Sequence, residues 1–175
     1  GGELTESVRR RPYQIVLFDE FEKAHPSVSN ILLQVLDEGH LTDSHGRRVD
    51  FKNTIIILTS NIGAQIIAQL PEGEPSIKAQ PEVWKLVQQR MTPEFLNRLD
   101  SIVMFNRLTF EAIHKIVELI FNGITSMVQE QEITLTVDEE VYLWIAQNGY
   151  DPVYGARPLK RLIQTQVLNQ MAIML

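Results

Sequence analysis

The sequence predicts an α/β chain: a parallel sheet with helices on both faces, followed by a smaller, mostly helical unit. Three observations carry this reading. Ile15-Val16-Leu17-Phe18 is an apolar run that passes straight into Asp19-Glu20, as in a parallel strand buried on both faces. Thr54-Ile55-Ile56-Ile57-Leu58-Thr59 has the same character and ends in Ser60-Asn61, and a helical stripe lies between the two runs, which makes a βαβ unit. From Thr109 the apolar residues recur every three or four positions, so the rest of the chain reads mainly as helix.

Taken in order, Glu3 to Arg11 reads as a short helix stopped by Pro12. Pro26 suits the first turn of a helix whose stripe is Val28, Ile31, Leu32, Val35 and Leu36 and whose stop is Gly39. Leu41 to Asp50, with Asp43-Ser44-His45-Gly46 between extended flanks, is a hairpin or loop. Residues 71–81 contain Pro71, Gly73, Pro75 and Pro81 and read as a loop. Two short helices follow, the second opened by Pro93, and Ser101 to Asn106 reads as another strand. Ile113, Ile116, Val117, Ile120, Ile124, Met127 and Val128 define a long amphipathic helix. Ile133 to Val137 alternates like a strand, and Thr136-Val137-Asp138-Glu139 fits a capping box for a helix through Ala146. Gly149 and Gly155 bracket a turn before a last helix from about Pro158. The change of pattern sets a domain boundary, with 1–107 as the α/β part and 108–175 as the helical part.

Composition narrows the function. A net charge of -6 disfavours a nucleic-acid groove, and Arg9-Arg10-Arg11 is short enough to be a solvated helix end. The chain has no cysteine, which removes disulfides, thiolate catalysis and cysteine-ligated metal. No apolar run reaches the length of a membrane span. His25, His40, His45 and His114 lack zinc-type spacing and read as surface or structural groups. The chain opens on Gly1-Gly2 and its first methionine is Met91, so it reads as a piece of something longer.

The chemistry gathers at strand ends. In open α/β sheets, ligands sit at the carboxyl edge of the strands. Asp19 and Glu20 point to opposite faces of their strand and therefore suit separate roles. Asp19 could hold Mg²⁺ through its water shell. Glu20 could orient and deprotonate a water attacking a γ-phosphate. Asn61 could position that water or touch a phosphate oxygen, or it could cap a helix at Ile62. Arg98, at the end of a short helix, reads by itself as a dipole or salt-bridge partner. Arg157 stands at a helix N-terminus, where a cation opposes the dipole and a bound anion would offset that cost.

In this order, the motifs resemble the AAA+ module of the Clp unfoldases over nearly the whole chain, and most closely the second ATPase module of ClpB-type disaggregases. The resemblance rests on Val16-Leu17-Phe18-Asp19-Glu20 with Lys23-Ala24-His25-Pro26, and on Leu33-Gln34-Val35-Leu36-Asp37-Glu38-Gly39 with Leu41-Thr42-Asp43. It continues through Thr59-Ser60-Asn61, Pro93-Glu94-Phe95-Leu96-Asn97-Arg98 and Gly155-Ala156-Arg157-Pro158-Leu159. It implies part of an AAA+ P-loop NTPase sheet over 1–107, the second half of the large subdomain, and a small helical subdomain over 108–175, cut off near its end. Asp19 and Glu20 look like the Walker B pair and Asn61 like sensor 1. Arg98 looks like the arginine finger reaching a neighbouring subunit, and Arg157 like sensor 2 on bound ATP.

No Gly-Lys pair occurs anywhere, so the GxxxxGK[ST] phosphate loop is absent. The resemblance puts that loop and an aromatic pore loop upstream, and implies that ATP and Mg²⁺ need it, so these 175 residues alone should not hydrolyse ATP. The activity implied is ATP-driven threading of unfolded or aggregated polypeptide through a hexameric ring, with a DnaK-type co-chaperone. The weighed alternatives are a peptidase-associated Clp unfoldase and a non-enzymatic regulatory or binding domain. Residues 62–92 carry no Ile-Gly-Phe or Ile-Gly-Leu docking tripeptide for a peptidase. Leu41 to Asp50 could line the channel, with Arg47 and Arg48 on substrate. Tyr154 to Leu159 and Leu168-Asn169-Gln170-Met171-Ala172 look most like fungal mitochondrial members, which points to the mitochondrial matrix, with cytoplasm as the alternative.

Overall fold

In the computed structural model, which describes residues 2–174 apart from the Met174 side chain, the chain divides into two units. One comprises Gly1–Ala64 and Gln80–Val103, the other Gln65–Ala79 and Met104–Leu175. The stretch 65–79, which the sequence pattern assigns to the first domain, clusters with the second unit. Arg107 Nη1 donates to the Leu70 carbonyl (2.6 Å) and the Ser76 N–H donates to Asn106 Oδ1 (2.8 Å), which ties that stretch to the start of the helical part.

In the first unit, α1 (Glu3–Arg10) leads to β1 (Gln14–Phe18) and, after a single 3₁₀ turn at Phe21–Lys23, to α2 (Pro26–Glu38). Pro26 opens α2 and Gly39 closes it at φ 69°, a left-handed cap that suits glycine. The hairpin of β2 (His40–Thr42) and β3 (Arg48–Asp50) is antiparallel and precedes β4 (Thr54–Leu58). β1 and β4 pair in parallel, from Gln14 opposite Thr54 to Phe18 opposite Leu58. Val16 and Ile56 turn one sheet face onto Val8 of α1, Val35 of α2, and Val49 and Phe51. The opposite face is bare: Ile15, Leu17 and Ile55 are each about three-fifths exposed (63%, 60% and 62%). The expected burial is met on one face only among the described residues, while the parallel pairing of two apolar strands is as the sequence predicts.

After β4 come α3 (Ala64–Ala68) and a 3₁₀ turn at Ser76–Ala79. α4 (Gln80–Arg90) and α5 (Pro93–Leu96) return to the first unit. The Thr92 hydroxyl accepts from the Phe95 N–H and starts α5 at Pro93. Phe95 is buried and stacks on Phe21, with ring centroids 5.3 Å apart. Phe21 also meets Phe18 edge-on, so one aromatic column joins the end of β1 to α5.

In the second unit, α6 (Phe110–Gln129) is followed by α7 (Glu139–Asn148), α8 (Arg157–Ile163), a π-helical turn at Gln164–Leu168, and α9 (Asn169–Met174). Thr109 caps α6 by accepting from the Ala112 N–H. Ile113, Val117, Phe121 and Ile124 form its buried stripe, and Met127, assigned there by spacing, is exposed. Ile145, Ala146, Leu159 and Ile163 complete the core.

Two expected strands are absent. Ser101–Asn106 and Ile133–Val137 are extended chain without ladder partners among the described residues. Alternation alone makes no strand when no second edge supplies hydrogen bonds. Leu135 and Val137 still pack on the core, which accounts for the alternation. The capping box also fails to form: Asp138 is the N-cap of α7, and no side chain caps it.

Phe121 is fully buried and meets Tyr142 edge-on at 5.3 Å. Phe121→Ala should therefore lower the unfolding free energy by about 3–5 kcal/mol. Urea unfolding followed by tryptophan fluorescence, with Trp144 in this unit, measures the loss.

Candidate active site

The parallel register decides what stands together. Because Phe18 pairs with Leu58, the next residues, Asp19 and Thr59, leave the sheet side by side. The Thr59 N–H donates to the Phe18 carbonyl (2.9 Å), and the Thr59 carbonyl accepts from the Phe21 N–H (2.9 Å). The Thr59 hydroxyl donates to Asp19 Oδ1 and accepts from the Glu20 N–H (3.0 Å).

Glu20 adopts the left-handed conformation, φ 53° and ψ 47°. Residues other than glycine are uncommon there and persist when their surroundings hold them. The turn sends the Glu20 carboxylate back over the edge. Its Oε1 accepts from Asn61 Nδ2 (3.4 Å) and its Oε2 pairs with Lys23 Nζ (2.8 Å). Asn61 therefore does not cap a helix with its side chain. Its carbonyl accepts from the Ala64 N–H, and the Ser60 hydroxyl accepts from the Ile62 N–H.

The structure thus brings Asp19, Glu20 and Asn61 to one strand edge, and it adds Thr59 and Lys23, which residue-by-residue reading passed over. Thr59 was within reach of the sequence, since equal strand lengths place the residue after Leu58 beside the residue after Phe18.

Arg98 lies just past α5 and is more than half exposed; its Nε meets Asp37 Oδ1 of α2 at 2.5 Å. The salt-bridge reading of this arginine is therefore what the single chain displays. Asp37 carries no local motif, because its partner is distant in sequence.

Arg157, in the second unit, is the first residue of α8. A tight turn presents it: Asp151 Oδ1 accepts from the Val153 and Tyr154 N–H groups (2.8 Å each), and Gly155 takes φ 64°. The Arg157 side chain is exposed and makes no ion pair among the described residues.

The hairpin is built on a buried carboxylate. Asp43 Oδ1 accepts from the His45 and Arg47 N–H groups (2.8 and 2.9 Å), and Oδ2 pairs with the Arg47 guanidinium (2.7 Å). The backbone bond from Arg47 leads the causes that hold the Asp43 carboxyl down to about 2. Arg48 Nη2 lies 3.1 Å from His40 Nδ1. The other histidines serve locally: His25 caps α2, and His114 faces Glu118 and Glu139. Arg9 and Arg10 pair with Glu6 within α1, as a solvated helix end would.

Fold and strand edge together define an AAA+ module: residues 1–102 match the model of the AAA domain (Cdc48 subfamily), and the chain belongs to that family. Residues 108–175 match the C-terminal, D2-small domain of ClpB protein, so the region corresponds to the second module of a ClpB-type AAA+ chaperone. Chaperone protein ClpB of Rickettsia bellii (strain RML369-C) is 54% identical over 175 residues, all of this chain and 20% of that protein. Chaperone protein ClpB of Agrobacterium fabrum (strain C58 / ATCC 33970) is 52% identical over the same span and share. The solved S. cerevisiae Hsp104:casein complex in its extended conformation superposes with TM-score 0.89 at 41% identity, over 99% of this chain and 30% of that one. The chain thus spans about a fifth of the length of these ClpB relatives.

The bacterial relatives overturn the expected kinship with fungal mitochondrial proteins and the mitochondrial matrix location. The segments that suggested it serve packing. Leu159 is fully buried, and Ala156 and Leu168 lie against the core, a demand that does not change with compartment.

The Asp43 carboxyl lies below its ordinary value of 3.8, so its stabilisation is complete above that pH and disappears as pH falls through about 2. The His45 and Arg47 amide resonances should move between about pH 4 and 2, as the carboxylate that accepts them is protonated. Asp43→Asn should shift both already at neutral pH.

Proposed function

We propose that this chain is the catalytic-edge half of an ATP-hydrolysing module in a protein-disaggregating chaperone. The observation that carries it is the Glu20 carboxylate held by the Asn61 amide across the carboxyl ends of two adjacent parallel strands. A carboxylate there can take a proton from an attacking water, and the amide can fix where that water sits. Asn61 and Lys23 each meet one Glu20 oxygen, and the remaining lone pairs of the carboxylate can still accept the attacking water.

The donor set fits Mg²⁺. Asp19 and Thr59 offer hard oxygens at an open strand end, and no group of three or more His, Cys, Asp or Glu residues forms a metal cage among the described residues. Mg²⁺ favours such a site because it keeps its waters and takes phosphate oxygens as ligands. When bound, ATP with Mg²⁺ supplies the γ-phosphate electrophile and neutralises its charge. Asp19 would hold the ion through water, with Thr59 fixing its carboxylate.

These 175 residues hold no Gly-Lys pair, so hydrolysis needs a phosphate cradle supplied from outside them. Arg98 is placed as the residue a neighbouring subunit would receive, and its exposure and the length of its side chain support that reading. Reaching the neighbour exchanges Asp37 for a phosphate. Arg157 is proposed as a phosphate ligand of the second unit, since its guanidinium is unpaired at a helix start. A subdomain boundary at 107/108 is part of the same proposal, supported by the nearby edges of the two matched families.

Assembly into a ring and action on unfolded polypeptide belong to the same proposal, and the similar Hsp104 structures, solved with casein, support the second of these. A DnaK-type partner belongs to the same reading. Arg47 and Arg48 are proposed as channel contacts. Arg47 is the more constrained of the two, because Asp43 binds both its side chain and its N–H.

In the intact protein, Glu20→Gln should reduce ATP turnover at this module by about 10²-fold or more while nucleotide binding persists. Unchanged turnover would make the Asp-Glu edge structural. Arg98→Ala should reduce turnover by about 10³-fold. Mixing it with the Glu20→Gln protein should restore part of the activity, because some interfaces then combine an intact finger with an intact base.

A further inference from the structure

We infer that Thr59 is a positioning residue for both acidic side chains of the edge, acting through a single hydroxyl. A hydroxyl offers one hydrogen to donate and lone pairs to accept with. Here the hydrogen goes to Asp19 Oδ1, and a lone pair takes the Glu20 N–H at 3.0 Å. The main chain of Thr59 is committed on both sides as well, to the Phe18 carbonyl and the Phe21 N–H. Three consecutive residues of the Asp-Glu turn, Asp19 to Phe21, are therefore bound by one residue of the neighbouring strand.

The consequence falls on Glu20. Its left-handed backbone is unfavourable for a residue with a side chain. A lone fourth-position turn bond, from the Lys23 N–H to the Glu20 carbonyl, does not by itself select that conformation. The Thr59 hydroxyl selects it by accepting the Glu20 N–H, which turns the carboxylate toward Asn61. The same hydroxyl orients the Asp19 carboxylate by donating to Oδ1. Serine would keep both bonds. Valine would keep the β-branched shape, which suits a strand end, and lose both bonds.

This inference rests on the proposed role of Glu20, and the test separates the two. In the intact protein, ATP turnover and affinity for a fluorescent ADP analogue are measured for wild type, Glu20→Gln, Thr59→Val, Thr59→Ala and Thr59→Ser. Thermal melting confirms that each variant is folded. The expected result is a fall in kcat of about 10-fold or more for Thr59→Val, the scale of a lost hydrogen bond to a charged group. ADP affinity should hold, and Thr59→Ser should recover most of the rate. Thr59→Ala replaces the valine variant if the latter melts early. Wild-type kcat in folded Thr59→Val or Thr59→Ala, beside an inactive Glu20→Gln, overturns the inference and leaves the base intact. Equal losses in Thr59→Ser and Thr59→Val overturn it too, since the hydroxyl is then not what matters. Full activity in Glu20→Gln overturns the reading on which it stands.

Discussion

The register in which β1 and β4 pair governs the first unit. Because the two strands are parallel, equal in length and aligned end to end, the residues leaving their carboxyl ends emerge as neighbours. A shift by one residue would turn Val16 and Ile56 from the helix-covered face to the bare one and separate Asp19 from Thr59. The core on one face therefore fixes the chemistry at the edge. Packing of Val8, Val35, Val49 and Phe51 against Val16 and Ile56 is what holds the acids and the amide at hydrogen-bonding range.

A second constraint follows the acids immediately. Phe21 comes one residue after Glu20, is buried, and stacks on Phe95 of α5. The strand end, the strained glutamate and the short helix that ends near Arg98 thus share one aromatic column. Arg98 lies three residues beyond Phe95 and rests on Asp37 from α2, the helix that follows the Asp-Glu turn. The proposed base and the proposed finger are therefore carried by elements that pack directly on one another. A movement of α2 would be felt at both, which couples the proposed base to the proposed finger.

The second unit, too, organises itself around apolar packing. Phe121 and Leu159 are fully buried, and the cation of interest, Arg157, stands outside that core on a turn made by Asp151. Asp151 acts as Asp43 does in the hairpin: a carboxylate gathers the N–H groups two to four residues ahead and so shapes the loop that carries an arginine. In each unit an aspartate sets the backbone beside the arginine.

The sequence by itself determined the elements that local pattern specifies: α2 between Pro26 and Gly39, the hairpin around Asp43, α5 opened at Pro93, the long α6, and the strand-end acids. Those follow from proline geometry, glycine caps and apolar period, which are properties of neighbours along the chain. It was also sufficient to associate Asp19, Glu20 and Asn61 with one edge, because a βαβ unit makes successive strands parallel. Ser101–Asn106 and Ile133–Val137, expected as strands, are extended chain without ladder partners among the described residues, and Ile15, Leu17 and Ile55 lie on the sheet face that these residues leave uncovered. Only the tertiary structure decided that Thr59 holds both acids, that Glu20 turns left-handed onto Asn61, and that Arg98 rests on Asp37. Each of these joins residues far apart in sequence, and the hydrogen bond that makes it depends on geometry reached only when the strands and helices have packed.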